Sequence, residues 1–174
     1  GNADESIGFL ERPEYSVEEK IEILSTLREK DLVDLTAEML MDALDSSRSV
    51  QALYPRDVYR SGILAPRVLN ETLLPCRSEL RKWAEANGLV FDSVQSLYDY
   101  WIASIRIERD GVYPTLTARA IDVLTYGVAD PLTFDAAFVE FARALTFAAD
   151  LDPVTRVPRG YRDGAFVPLR PVSG

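Results

Sequence analysis

Residues 92–105 read DSVQSLYDYWIASI, and this stretch decides the fold. Asp92 is followed three residues later by Gln95, which is the spacing of a capping box at a helix N-terminus. Apolar side chains then recur at the i, i+3, i+4, i+7, i+8 and i+11 positions of one helix face. They are Val94, Leu97, Tyr98, Trp101, Ile102 and Ile105. The pattern predicts an amphipathic α-helix whose apolar face packs into a core.

Five further segments of the same kind lie on either side of this helix. Ser16 and Glu19 have capping-box spacing, and Asp130 before Pro131 is an N-cap followed by a proline at the first helical position. The six predicted helices begin at Ser16, Asp31, Arg77, Asp92, Pro114 and Pro131. The sequence therefore predicts an all-α fold, a single compact bundle of five or six amphipathic helices.

The helix pattern ends near Asp152, because prolines and glycines recur from there to the C-terminus. Asp163-Gly164 lies between two apolar-containing segments, which is a signal for a β-hairpin in an otherwise irregular tail. The apolar residues of this tail favour packing on the helices or on a partner. We therefore divide the chain into a flexible N-terminus at 1–14, a helical domain at 15–151 and an extended arginine- and proline-containing tail at 152–174.

The chain of 174 residues has no histidine and one cysteine, Cys76. This composition excludes a Ser-His-Asp triad, a histidine-ligated zinc site and a disulfide framework. Cys76 precedes Arg77 near a predicted helix N-terminus, but a buried, unreactive thiol is the favoured interpretation. We predict no catalytic residue, no metal ligand and no cofactor. One thiol is compatible with a reducing compartment, so we expect a cytoplasmic protein.

Charge is distributed unevenly along the chain, whose formal net charge is −9. Residues 1–48 contain 13 acidic and 5 basic residues, a net charge of −8. Residues 55–82 and the last 22 residues each have a net charge of +3. An acidic chain is repelled by phosphate backbones, so nucleic acid is an unlikely partner. No apolar run approaches the length of a membrane span, so we expect no membrane partner either.

A helix-turn-helix-like spacing occurs around the predicted turn at residue 88. Ala84, Gly88, Val94 and Leu97 occupy the small-residue, turn-glycine and buried-aliphatic positions of that motif. The exposed positions of the second helix are acidic or uncharged, whereas a DNA-recognition helix presents basic or amide side chains. We therefore interpret these four residues as helix packing, and a helix-turn-helix transcription regulator is an alternative function.

The tail contains arginines spaced by three among aromatic residues. This is the composition of protein–protein hot spots, and the hypothetical partner-binding residues are Arg156, Arg159, Tyr161, Arg162 and Phe166. The sequence predicts a non-enzymatic helical protein–protein interaction or adaptor domain, with a protein partner or self-association. The alternatives are a carboxylate-based, metal-assisted enzyme and an acidic inhibitor of a basic target.

Overall fold

The computed structural model describes residues 2–33, 35–69, 75–109 and 119–172. Its α-helices are α1 (Asn2–Leu10), α2 (Val17–Leu24), α3 (Ala37–Ser47), α4 (Arg56–Tyr59), α5 (Arg77–Ala86), α6 (Val94–Ser104), α7 (Ala120–Tyr126) and α8 (Pro131–Ala144). Its strands are β1 (Arg106–Ile107), β2 (Val128–Ala129), β3 (Ala149–Leu151), β4 (Pro158–Arg162) and β5 (Ala165–Pro168). Short 3₁₀ turns occupy Glu29–Val33 and Arg48–Leu53, and a π-helical turn at Arg60–Leu64 continues α4.

The prediction of an all-α helical bundle is wrong, because the fold is mixed. Strands β1 and β2 form a parallel pair, and β3, β4 and β5 form an antiparallel sheet in that order. The strands are two to five residues long, which is too short to produce a clear alternating pattern in the sequence. Strand β3 also follows the longest helix closely in sequence, where Ala148 and Ala149 resemble a continuation of that helix.

Helix α8 forms the centre of the C-terminal hydrophobic cluster. Its residues Phe134, Phe138 and Phe141 are almost completely buried. Trp101 of α6 lies within 6.0 Å of all three rings, and its indole N–H donates a hydrogen bond to the carbonyl oxygen of Phe134. These aromatic contacts explain why the stretch at 92–105 is buried along one side.

A second hydrophobic cluster joins α1, α2, α3 and the helix at 56–64. Its fully buried members include Phe9, Ile23, Leu40 and Ile63. Phe9 belongs to α1, so part of the stretch assigned from sequence to a flexible N-terminus is helical and contributes to the core. Ala148, which follows α8, packs in this cluster and links it to the C-terminal half.

Two of the predicted helix starts are confirmed by their capping contacts. The Ser16 hydroxyl accepts the backbone N–H of Glu19, and the Glu19 side chain accepts the N–H of Ser16. Asp130 accepts the N–H groups of Leu132 and Thr133 at the start of α8. Each cap satisfies N–H groups that have no partner within the helix.

Two other helix starts differ from the prediction. Ser93, one residue after Asp92, caps α6. Thr36 rather than Asp31 caps α3, and Asp31 lies buried in the preceding 3₁₀ turn. The start predicted at Pro114 lies outside the described residues, and the part of that helix within them, α7, begins at Ala120.

The hairpin predicted at Asp163-Gly164 is present and connects β4 to β5. Both turn residues have positive φ, 53° and 86°, which is the conformation that a two-residue hairpin turn requires. Gly160 on β4 lies against Val94 of α6, and a Cβ atom at this glycine would lie 2.5 Å from Val94 Cγ1. The sheet therefore packs closely on α6, and part of the tail is an integral piece of the fold.

Candidate functional site

A groove lies between α3, α5 and the turn before α2, and its volume is about 700 Å³. It is lined by Glu14, Tyr15, Glu38, Met41, Asp42, Asp45, Pro75, Ser78, Glu79 and Lys82. Five of these residues have carboxylates and one has an ammonium group, a formal net charge of −4 among the described lining residues. We call this surface the acidic groove.

Asp42 is held in place by the first turn of α5. Its carboxylate accepts the backbone N–H groups of Cys76 at 3.1 Å, Arg77 at 2.8 Å and Ser78 at 3.1 Å, and the Ser78 hydroxyl at 2.7 Å. These are N–H groups without intrahelical partners, and the helix dipole favours an anion there. Asp42 therefore fixes the geometry of the groove wall by joining α3 to α5.

Asp45 is held from the opposite side by a tyrosine and an arginine. The Tyr15 hydroxyl donates to Asp45 Oδ1 at 2.7 Å, and the Arg48 guanidinium stacks 5.2 Å from the Tyr15 ring centre. Burial and the hydrogen bond to Asp45 raise the pKa of Tyr15, so its phenol remains a donor at neutral pH. Arg48 also donates two hydrogen bonds to Glu19, which secures this end of the groove to α2.

The remaining carboxylates lie at the rim of the groove and are accessible to solvent. Glu38 is exposed, while Glu14 and Glu79 form long ion pairs, 3.9 Å to Arg12 and 3.7 Å to Arg119. Exposed pairs of this kind contribute only about 0–1 kcal/mol and exchange readily with other partners. These three carboxylates therefore offer negative charge to a ligand, whereas Asp42 and Asp45 also hold the groove wall through their hydrogen bonds.

The chemistry of the groove does not resemble that of a metal centre or a thiol site. Within the ranges that the structure describes, no three Cys, Asp or Glu side chains are grouped as ligands for a metal ion. Burial and the nearby Glu140 raise the pKa of the Cys76 thiol, which disfavours the nucleophilic thiolate. The groove is suited to binding through charge and shape.

The five tail residues proposed for partner binding lie in or beside the three-stranded sheet. Arg159 pairs with Asp150, the residue opposite it on β3, at 2.6 and 2.8 Å, and its guanidinium stacks 5.3 Å from the Phe166 ring centre. Tyr161 packs edge-on against Phe166, at 5.6 Å between ring centres. These three are therefore engaged within the chain.

The other two members of that set are exposed. Arg156 lies in the turn before β4 with φ 64°, and Arg162 lies at the end of β4 and donates to Gln95 of α6 at 3.3 Å. All five residues thus lie around one small sheet, and of these five only Arg156 and Arg162 are exposed. Whether they bind a partner stays a prediction.

The residues with helix-turn-helix-like spacing lie at the junction of α5 and α6. Ala84, Val94 and Leu97 are buried in the C-terminal cluster, and Gly88 has φ 65° in the turn after α5. The Leu89 N–H donates to the Ala84 carbonyl oxygen at 2.9 Å and completes the end of α5.

None of the helices in the described residues has the length and apolar character that crossing a membrane requires. Comparison with protein-family models, with curated protein sequences and with solved structures finds no match to this chain.

Proposed function

We propose that this chain is a non-enzymatic interaction domain whose acidic groove binds a basic segment of a partner protein. The observation that carries the proposal is the charge asymmetry of the groove, five carboxylates against one lysine. Met41, Pro75 and the Tyr15 ring supply apolar surface beside these charges. An arginine or lysine side chain has an apolar stem and a charged end, so it matches such a surface along its whole length.

Hydrogen bonds within the chain fix the wall of the groove independently of any ligand. Asp42 and Asp45 are fixed by hydrogen bonds from α5 and from Tyr15, so little ordering of the groove wall accompanies binding. The exposed carboxylates at the rim accelerate the encounter with a cationic partner and favour partners of that charge. A volume of about 700 Å³ accommodates several side chains of an extended peptide.

Two arginines of the tail are paired within the chain. Arg159 pairs with Asp150, and Arg170 pairs with Asp135 at 2.6 and 2.9 Å. Because these guanidinium groups have carboxylate partners in their own half of the molecule, they are poorly suited to fill the groove of a second copy. The exposed Arg156 and Arg162 remain accessible, and a separate basic protein supplies the cations that the paired arginines cannot.

The experiment uses a short arginine- and lysine-rich peptide and isothermal titration calorimetry at low and moderate salt. The double variant Glu38→Gln/Glu79→Gln removes two rim charges and should weaken binding by about tenfold, if each exposed pair contributes roughly 0.5–1 kcal/mol. The matched control Asp92→Asn/Asp163→Asn removes two exposed charges outside the groove and should change affinity by less than about twofold.

Binding that weakens equally in both double variants would overturn the proposal, because the peptide would then respond only to the overall charge. Absence of peptide binding at low salt, where exposed charges interact most strongly, would overturn it as well. A loss confined to the groove variant, with unchanged thermal unfolding, supports it.

A further inference from the structure

Three arginines line a second cavity in this acidic chain. Its volume is about 250 Å³, and it lies between the segment after α2 and the helix at 56–64. The lining residues are Thr26, Arg28, Asp31, Arg60, Ser61, Ala65 and Arg67. Three guanidinium groups against one carboxylate give the described lining a formal net charge of +2. We call it the arginine pocket.

Both carboxylate oxygens of Asp31 already accept hydrogen bonds from within the chain. Asp31 is 1% exposed, and its Oδ2 accepts the backbone N–H of Arg28 at 2.7 Å. Its Oδ1 accepts a charge-assisted hydrogen bond from Nε of the buried Arg67. Asp31 therefore joins the Arg28 backbone to the Arg67 side chain and neutralises one of the three guanidinium groups in the described lining.

Arg60 is positioned by the π-helical turn. The Ala65 N–H donates to the Arg60 carbonyl oxygen at 2.9 Å and closes the wide turn at Arg60–Leu64. Such turns are rare inside helices and occur frequently at functional sites. The Arg60 Nε donates to Glu22 Oε2 at 2.5 Å, but Glu22 also pairs with Arg56 at 3.0 Å. One carboxylate thus serves two arginines and leaves an excess positive charge.

Arg28 completes the pocket from the other side. Its backbone is fixed by Asp31, its side chain is exposed, and in the described part of the chain that side chain forms neither an ion pair nor a hydrogen bond. Arg28 and Arg60 therefore line the same cavity from two segments of the chain. Paired guanidinium groups match the tetrahedral oxygens of a phosphate, which they bind through two parallel hydrogen bonds each.

We propose that the arginine pocket binds a phosphate group, either free phosphate or the phosphate of a small monoester. Its volume lies below the usual range for drug-sized ligands, about 300–1,000 Å³, so it suits a compact anion better than a nucleotide. The pocket is separate from the acidic groove and opposite in charge. The proposal therefore stands or falls independently of the peptide-binding function.

The experiment measures binding of inorganic phosphate and of phenyl phosphate to the full chain by isothermal titration calorimetry and thermal shift, with sodium chloride matched for ionic strength. The Arg28→Gln variant removes an exposed side chain without a described partner, so the fold should persist. We expect it to weaken phosphate binding by about tenfold, the usual effect of losing one charge-assisted hydrogen-bonding group. Arg109→Gln changes an exposed arginine outside the pocket, so it is the matched control and should bind as the wild type does.

Each outcome decides the proposal. Saturable phosphate binding that Arg28→Gln weakens and Arg109→Gln preserves supports it, and tighter binding of phenyl phosphate than of phosphate identifies a monoester as the favoured ligand. The proposal is overturned if neither inorganic phosphate nor phenyl phosphate binds at millimolar concentration. Equal affinity in all three proteins also overturns it, because the anion would then bind elsewhere.

Discussion

Replacing Arg143 by methionine tests whether one buried guanidinium joins the two hydrophobic clusters. Arg143 of α8 is 3% exposed. It donates to the carbonyl oxygens of Ala149 at 3.1 Å, Ala65 at 2.9 Å, Arg67 at 3.1 Å and Ser61 at 3.0 Å. Methionine is unbranched and fills much of the same space, so the substitution chiefly removes the hydrogen-bond donors.

The expected loss of stability depends on how deeply the four carbonyl oxygens are buried and on whether each keeps another donor. The bonds to Ala149 and Arg67 are fully buried, and a buried carbonyl that loses its donor costs about 1–3 kcal/mol. The other two bonds are partly buried, and Ala65 retains a second donor, Arg77 Nη2 at 2.9 Å. The sum is about 2–6 kcal/mol, which is a large part of the 5–15 kcal/mol typical of a whole domain.

Urea unfolding followed by circular dichroism measures this loss as a shift of the midpoint at constant slope. Arg156→Met, which changes an exposed arginine, serves as the control and should stay within about 0.5 kcal/mol of the wild type. A loss below about 1 kcal/mol for Arg143→Met would refute the reasoning. It would mean that apolar packing compensates for the carbonyls, as it does in some proteins whose buried ion pairs are replaced by hydrophobic residues.

Two further substitutions test the packing and the electrostatics of the fold. Gly160→Ala places a methyl group 2.5 Å from Val94 Cγ1 and should lower the free energy of unfolding by about 1–3 kcal/mol in urea titrations, with partial recovery when Val94→Ala is added. Burial raises the pKa of Glu22, but hydrogen bonds from Arg60 and Arg56 outweigh it and hold that pKa below its usual value. Ionised Glu22 therefore stabilises the fold above the unfolded pKa of about 4.3, so the stability difference between wild type and Glu22→Gln should be constant above about pH 5 and shrink as the pH falls below about 4. A difference independent of pH between 3 and 7 would contradict this assignment.

The helix starts that the sequence predicted correctly are those whose signals are local. Ser16 and Asp130 cap their helices through side chains that reach N–H groups two or three residues away, so no tertiary contact is needed. Asp31, like Asp130, is an aspartate at a predicted helix start. Its carboxylate, however, accepts a hydrogen bond from Arg67, 36 positions along the chain, and Thr36 caps α3 instead. A long-range ion pair overrides the local preference there, and only the folded chain reveals it.

The burial of residues on α2 also depends on long-range contacts that the sequence does not show. The helical spacing places Ile21 on the apolar face, yet Ile21 is 55% exposed and its neighbour Glu22 is 6% exposed. The position of the helix is set by Ile23, which is fully buried in the N-terminal cluster, and by the two arginines that reach Glu22 from 34 and 38 positions away. An ion-paired glutamate can replace an apolar residue at a helix interface when its partners are present.

The acidic groove was predictable only in part. The charge excess of residues 1–48 indicates a negative surface in the N-terminal half, and Glu14, Glu38 and Asp45 come from that stretch. Glu79 and Lys82 come from a stretch that is basic on average, and they reach the groove because Asp42 caps α5. The cap is a tertiary contact between α3 and α5, and no spacing in the sequence announces it.

The arginines of the chain illustrate why charge along a sequence does not predict charge on a surface. Arg159 pairs with Asp150 across two strands and Arg170 pairs with Asp135 of α8, so these two tail cations find their anions in the C-terminal half. Glu22 is neutralised within the N-terminal half by arginines of 55–82. Neutralisation is therefore local in these cases. The rim of the acidic groove is different, because Glu14 and Glu79 form only long, exposed ion pairs and the described lining keeps a formal net charge of −4. A surface that keeps a net negative charge despite such pairs is the one on which an external basic partner gains most.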